Sequence, residues 1–332
     1  MTDPNARAPE ARGPIGELGG YQLLERVGAG ALGEVFRARD TVHGRTVAIK
    51  RVPSGLVADQ AWCSALHDKA ASLAEVSHPG VAMLYECGQS DGQVFLAQEF
   101  VPGQTLTKLI AGRPINALHA VELAIEAADA LAALHSAGHS HGDLRPDNIV
   151  VTPKGRVKLL DAGLARFTGG GAARLTAAAR LGSLPNEVLP VLRYLAPEQA
   201  LGEGGDRRSD LFSLGLVLYE MLTGQPAFDR TSADETLLAI VQASVQAPST
   251  RQASVPAELD AIIARALAKP VDRRYQTAGQ LADDLRAVKS VLDDELDEVS
   301  ALVPEPASRL WWWIAGAAAL GAALVAWILG NS

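Results

Sequence analysis

Hydrophobic and polar positions alternate through the first hundred residues and recur at helical spacing through most of the remainder. Alternation over Tyr21–Val27 and Glu34–Arg39 predicts two strands flanking a glycine-rich turn, and Thr46–Val52 predicts a third. Ala61–Val76 has helical periodicity and stops at His78–Pro79, where proline forbids continuation. Val81–Glu86 and Val94–Phe100 read as two more strands. Beyond Gly103 the period changes. Ala117–Ala137 is a long Ala/Leu helix, Ile149–Val151 and Val157–Leu160 are short strands, and Ser209–Leu222, Thr236–Ala243, Ala257–Ala268 and Thr277–Leu292 are helices. Strands first and helices after predict an α+β chain of two unequal lobes joined near Glu99–Gly103, with no internal repeat.

The far end is different. Asp293–Arg309 is acidic and then proline-bearing, as a linker is. Leu310–Leu329 is an uncharged run of twenty residues, long enough at ~1.5 Å per residue to cross a ~30 Å hydrocarbon core. Trp311, Trp312 and Trp313 at one end and Trp327 at the other suit the two interfaces. The expectation is a tail-anchored, single-pass protein of the inner membrane, with the remainder and Arg309 on the cytoplasmic side. A buried C-terminal helix is the competing reading. Ala317 and Gly321 offer a small-xxx-small face on which a homodimer could pack. Residues 1–18, rich in Ala, Pro, Gly and Arg without an apolar h-region, read as a disordered leader rather than a signal peptide.

Composition is 48% apolar and 20% charged, ordinary for a globular chain. The net charge of −8 argues against nucleic acid as a partner. Cys63 and Cys87 make neither a metal spacing nor a disulfide framework, which fits a reducing compartment. His119, His135, His139 and His141 gather near the long helix and read as loop packing rather than metal ligands.

Candidate chemistry lies in five segments. Gly28-Ala-Gly30-Ala-Leu-Gly33-Glu-Val35 sits between two predicted strands, where glycine lets the backbone approach a triphosphate and present N–H donors. Val47-Ala48-Ile-Lys50 places a lysine on the next strand. His141-Gly142-Asp143-Leu144-Arg145-Pro146-Asp147-Asn148, Asp161-Ala162-Gly163 and Ala196-Pro197-Glu198 come after it. Phosphoryl transfer depends on positioning and charge neutralisation, and the set supplies acids, an amide and cations suited to both.

In this order, and with Ser209-Asp210-Leu-Phe-Ser213-Leu-Gly215 and Arg274-Tyr275, the region Tyr21–Leu285 resembles a bacterial eukaryotic-type (Hanks-type) serine/threonine protein kinase. The resemblance implies a bilobal protein-kinase fold with a β-rich N-lobe (19–100) and a helical C-lobe (104–290); the hydropathy pattern adds linker 291–309, transmembrane helix 310–329 and tail 330–332. It implies ATP and Mg²⁺ (or Mn²⁺) as cofactors, a protein substrate and a place in signalling. By resemblance Gly28, Gly30 and Gly33 cover the phosphates, Lys50 grips them, and Asn148 and Asp161 hold the metal. Asp143 accepts the substrate proton, with Arg145 near the γ-phosphate. Val35 and Ala48 frame the nucleotide, Glu99 to Val101 form the adenine hinge, and Gln98 is the gatekeeper. Glu198 pairs with Arg274, and Asp210 anchors the catalytic loop. His-Gly-Asp also resembles the aminoglycoside-phosphotransferase-like small-molecule kinases, which generally lack the Ala-Pro-Glu segment and the Ser-Asp-x-x-Ser-x-Gly helix.

Five departures bear on activity. Lys69 aligns with the glutamate that should pair with Lys50. A second ammonium ~4 Å away would cost about 4 kcal/mol at an effective dielectric near 20, so Lys69 must point elsewhere if ATP is to be gripped. Asp68 and Glu75 lie on another face and could serve if the helix rotated. Ala162 replaces a phenylalanine, a loss of about 3–5 kcal/mol in a core unless neighbours fill the space. Gly142 replaces an arginine that usually receives an activation-loop phosphate, so modification of Thr168, Thr176 or Ser183 should not act by that route. Arg145 replaces a lysine, and Val191 stands where a threonine would link the substrate loop to the catalytic loop. An inactive, nucleotide-binding membrane scaffold therefore remains the alternative to an active kinase.

Overall fold

The computed structural model describes residues 14–30, 32–168 and 188–302. The chain divides into two compact units, Met1–Val288 and Lys289–Ser332. The first unit opens on strands β1 (Gly16–Leu18), β2 (Tyr21–Gly30), β3 (Gly33–Asp40) and β4 (Thr46–Arg51). Helix α1 (Gln60–Ala74) is next, then β5 (Leu84–Ser90) and β6 (Gln93–Glu99). The six strands form one antiparallel sheet in the order β1-β2-β3-β4-β6-β5, with α1 packed against β5. Alternate residues of the strands meet in one core of Leu18, Tyr21, Leu23, Phe36, Val47, Ile49 and Phe95. Within it the rings of Tyr21 and Phe95 meet edge to face at 5.7 Å.

Beyond the hinge come β7 (Gln104–Thr105), α2 (Leu106–Ile110), α3 (Ala117–Ser136), β8 (Ile149–Val151) and β9 (Val157–Leu159). The three short strands make a second sheet in the order β7-β8-β9. Next are α4 (Leu189–Leu192), α5 (Pro197–Leu201), α6 (Arg207–Thr223), α7 (Ala233–Gln242), α8 (Pro248–Arg251), α9 (Glu258–Ala266) and α10 (Ala278–Leu302). Helix α6 is buried on every side, so it packs against both α3 and α9. Asp206 caps its start by accepting from the Arg208 N–H, and Gly224 closes it at φ +73°. A Cβ at Gly224 would lie 2.8 Å from the Arg113–Pro114 backbone, so the stop needs glycine.

The predicted elements recur with informative shifts. The strand expected at Val81–Glu86 starts at Leu84, because Val81 pairs instead with Leu159 in a parallel bridge. The strand ends later because Asp91 and Gly92, at φ +49° and +78°, form a two-residue hairpin turn to Gln93. Strand β1 lies within the stretch read as a leader, of which residues 1–13 lie outside the described residues. Helix α10 continues to Leu302, through half of the expected linker. Apolar Leu292, Leu296, Val299 and Leu302 keep helical spacing there, and no proline intervenes before Pro304. Among the described residues no helix is long and apolar enough to cross a membrane, and the run 310–329 lies outside them.

The helical lobe is closed by an ion pair between α5 and the segment before α10. Arg274, fully buried, donates through Nη1 and Nη2 to the two carboxylate oxygens of Glu198, each at 2.8 Å. Ser209 Oγ donates to the same carboxylate at 2.6 Å. Burial works against the charged carboxyl, but these hydrogen bonds outweigh it and hold its pKa below the ordinary value. Glu198→Ala would leave the guanidinium buried with only the Ala268 and Lys269 carbonyls, and is expected to lower unfolding stability by about 3 kcal/mol at pH 7. Because the folded-state pKa is depressed, this contribution is present above pH 4.5 and fades as pH falls through the depressed value. Urea unfolding of both proteins at pH 7 and in acid measures this; a deficit that does not shrink in acid refutes the linkage.

Candidate active site

Lys50 lies on β4 between Val35 of β3 and Leu96 of β6, and is buried by its neighbours in the sheet. Its ammonium donates directly to Asp161 Oδ1. Asp161 adopts φ +60°, a left-handed conformation rare outside glycine, which turns the chain sharply into Gly163. Gly163 N–H returns to the His141 carbonyl at 3.1 Å, tying this turn to the loop that carries Asp143. The segment after it is held by Phe167, whose ring meets Trp62 of α1 edge to face at 5.7 Å.

The loop between α3 and β8 carries Asp143, Arg145 and Asn148. Asn148 Nδ2 donates to the Asp143 carbonyl at 2.8 Å and to its carboxylate at 3.2 Å. That leaves Asn148 Oδ1 and the second oxygen of Asp161 as unshared hard donors, a set that fits Mg²⁺. Arg145 sits 3.4 Å from Asp143 and donates to Asp147 at 2.5 Å. Burial pushes the Asp143 carboxyl above the ordinary carboxylate range, while Arg145 beside it pulls the other way. The Asp161 charge adds to the rise.

Asp210 of α6 fixes the loop. Its carboxylate accepts from His141 N–H, Gly142 N–H and His135 Nε2, each at 2.8 Å. Gln199 Nε2 adds a bond to the Gly142 carbonyl at 3.1 Å. Gly142 has φ +80°, and a Cβ there would sit 3.0 Å from Ala165, so the glycine in place of arginine suits this backbone. Ser213 Oγ holds the Tyr194 carbonyl at 2.7 Å, and the Tyr194 hydroxyl donates to Glu220. Val191 lies in α4 and offers no hydroxyl.

Above the site, Gly30 pairs with Gly33 across the β2–β3 turn. Gly33 has φ +107°, and a Cβ on it would lie 2.2 Å from the Arg51 carbonyl oxygen. Gly28 and Gly30 instead face open space. Ala48 pairs with Gln98, which is buried, and Glu99 N–H bonds to the Met83 carbonyl at 2.8 Å. The Glu99 carboxylate accepts from Lys158 at 2.6 Å, and among the described residues Val101 N–H has no backbone partner.

The structure thus pairs Lys50 with Asp161 and Asn148 with Asp143, the two joined through the Gly163–His141 bond, and three departures find structural answers. Lys69 turns away from Lys50 and donates to His139 Nδ1 at 2.8 Å. Asp68 and Glu75 are exposed, so the rotated-helix substitute is not taken up. Leu73, Leu134 and Leu164 close round Ala162, leaving a cavity of about 10 Å³, room for about one water. Thr168 is buried and its hydroxyl donates to the Ala165 carbonyl at 2.8 Å; Thr176 and Ser183 lie outside the described residues. The histidines serve structure: His135 and His141 meet Asp210, His139 meets Lys69, and His119 lies 3.8 Å from Glu122. Gln199 and His139 were not legible as site residues, because each acts on a segment far away in sequence.

A sheet-capped cleft with this lysine, two aspartates and an asparagine is the architecture of a protein kinase. Residues 21–285 match the protein kinase domain family, and the chain belongs to it. It is 36% identical over 276 residues to a probable serine/threonine-protein kinase of Streptomyces coelicolor, covering 81% of this chain and 40% of that one. It is 34% identical over 270 residues to serine/threonine-protein kinase PknB of Mycobacterium tuberculosis, covering 80% and 42%. The chain spans less than half the length of these curated relatives. The solved kinase domain of M. tuberculosis PknI shares the fold at TM-score 0.65 and 24% identity, over 83% of this chain and 98% of that one.

The closure round Ala162 has a measurable consequence. Ala162→Phe, which restores the usual family residue, is expected to overpack the gap and lower stability by about 1–3 kcal/mol. A thermal melt checks it, and a higher Tm than the parent would show that the space was open after all.

Proposed function

We propose that this chain is a serine/threonine protein kinase that transfers the γ-phosphoryl group of ATP to a protein hydroxyl, held at a membrane by residues 310–329. The observation that carries the reading is the cluster of Lys50, Asp143, Asn148 and Asp161 beside a loop anchored by Asp210. Gly28, Gly30 and Gly33 bring backbone close to the triphosphate, and Val35 and Ala48 supply apolar surface to the base. The Glu99–Val101 hinge offers adenine the Val101 N–H. Mg²⁺, held by Asn148 and Asp161, would supply charge neutralisation on the phosphate oxygens.

Lys50 grips the phosphates while Asp161 holds it in place. Asp143 orients the substrate hydroxyl and accepts its proton as the new O–P bond forms. The bond from the γ-phosphorus to the bridging oxygen breaks, and ADP leaves. Arg145 keeps positive charge beside Asp143 and the transferred group. The scaffold alternative draws on Lys69, Ala162 and Val191, and the first two of these departures have compensations within the fold.

Incubation of the full-length chain with γ-labelled ATP and Mg²⁺ or Mn²⁺ tests the chemistry. Label transfer to protein is expected, with a loss of at least about a hundredfold in Asp143→Asn and Lys50→Met. Transfer must fall as pH drops through the raised Asp143 pKa, since only the carboxylate accepts a proton. Absence of label at concentrations where nucleotide binds would select the scaffold, and label on a metabolite alone would select a small-molecule kinase.

The membrane reading rests on twenty uncharged residues bounded by tryptophans, a span that matches the hydrocarbon thickness. The full chain is expected to float with lipid vesicles and to resist carbonate extraction. A chain truncated after Leu302 is expected to stay at the bottom of the gradient. Equal partition of the two refutes the anchor.

A further inference from the structure

Helix α1 packs against β5 and, through Leu73 and Lys69, against the Asp161–Gly163 turn, and its one carboxylate, Asp68, is exposed rather than paired with Lys50. What it carries is a second cation with an unusual partner. Lys69 Nζ lies 2.8 Å from His139 Nδ1, and His139 Nε2 lies 3.0 Å from Ser72 Oγ, one turn further along the same helix. The ring is therefore gripped at both nitrogens by α1. An ammonium can only donate, so Nδ1 accepts and the proton sits on Nε2, which donates to Ser72.

His139 stands two residues before His141, whose N–H is held by Asp210 and whose carbonyl receives Gly163 N–H. Gly163 lies against α1: a Cβ on it would be 2.9 Å from Leu73 and 3.2 Å from Lys69. The contacts close a ring from α1 through His139 and His141 to the Asp161–Gly163 turn and back to α1. We propose that Lys69 is a positioning residue, which docks α1 on the catalytic loop through His139 and so sets the Lys50–Asp161 pair without touching nucleotide. The inference rests on the kinase reading above.

The electrostatics agree with the geometry. Burial lowers the His139 pKa, and the Lys69 charge lowers it further, with Glu75 at the end of α1 opposing. Burial likewise lowers Lys69, aided by Arg166 on the segment after Gly163. The neutral imidazole is the form that can accept from Lys69. His139 also faces a polar cleft shared with Asp206, Arg207 and Arg208, which gives the ring a route to solvent.

The test uses the full-length chain and its Lys69→Met, Lys69→Arg and His139→Leu variants. NMR titration of the histidine ring signals reports His139, assigned by its loss in His139→Leu. Removal of the Lys69 charge should raise the His139 pKa, and Lys69→Arg should leave it near the parent value. Labelled-phosphate kinetics should show kcat about tenfold lower in Lys69→Met and in His139→Leu, with Lys69→Arg recovering at least half of the activity. A His139 pKa unchanged in Lys69→Met overturns the contact. A raised pKa with unchanged kcat overturns the positioning role. If parent and Asp143→Asn are equally inactive, the kinase reading fails, and the contact is still decided by the titration.

Discussion

A buried carboxylate in the helical core sets the frame for everything above it. Asp210 is nearly inaccessible to solvent, on a helix whose middle is buried all round, and an unpaired charge there would be costly. It is satisfied by two backbone N–H groups and one imidazole, all from the chain that leads into Asp143. Solvating that charge internally ties the backbone at His141 and Gly142, just before Asp143, to the core helix. Asn148 then braces Asp143 from the other side, and Arg145 sits beside it.

The departures from the usual kinase pattern are mutually consistent. Loss of the phenylalanine at Ala162 is matched by leucines from α1, α3 and the segment after Gly163, which close the space to about 10 Å³. Those contacts bring α1 close to the Asp161 turn. On the same helix, Lys69 is paired with His139. Trp62 against Phe167 adds apolar contact at the other end of the helix. A small residue, an inverted charge and an aromatic pair thus belong to one packing solution.

The contiguous motifs were readable because each is complete within a few residues. The glycine turn, Lys50, the Asp143–Asn148 loop and Asp161–Gly163 occupy the expected strands and loops, and Glu198 meets Arg274 as anticipated. Long helices were readable in two ways: α3 by its periodic buried face, and α6, buried all round, as an apolar stretch too long for a strand. Short elements were not. Strand β1 has three residues and β7 two, too few for alternation to register. The bounds of β5 are set by the Asp91–Gly92 turn and the Val81–Leu159 bridge, and the second of these joins segments far apart in the chain.

Residue order alone determined the fold class and placed the kinase-like motifs on their strands and loops, because patterning and local motifs act over short stretches of chain. Tertiary structure decided where the non-conforming residues point. Lys69 and His139 are seventy residues apart, and neither has a local partner that would predict their pairing. Whether Ala162 leaves a void depended on side chains from three elements converging on one spot. Such outcomes follow from packing and from the need to pair every buried polar group, and both are properties of the folded chain rather than of any segment of it.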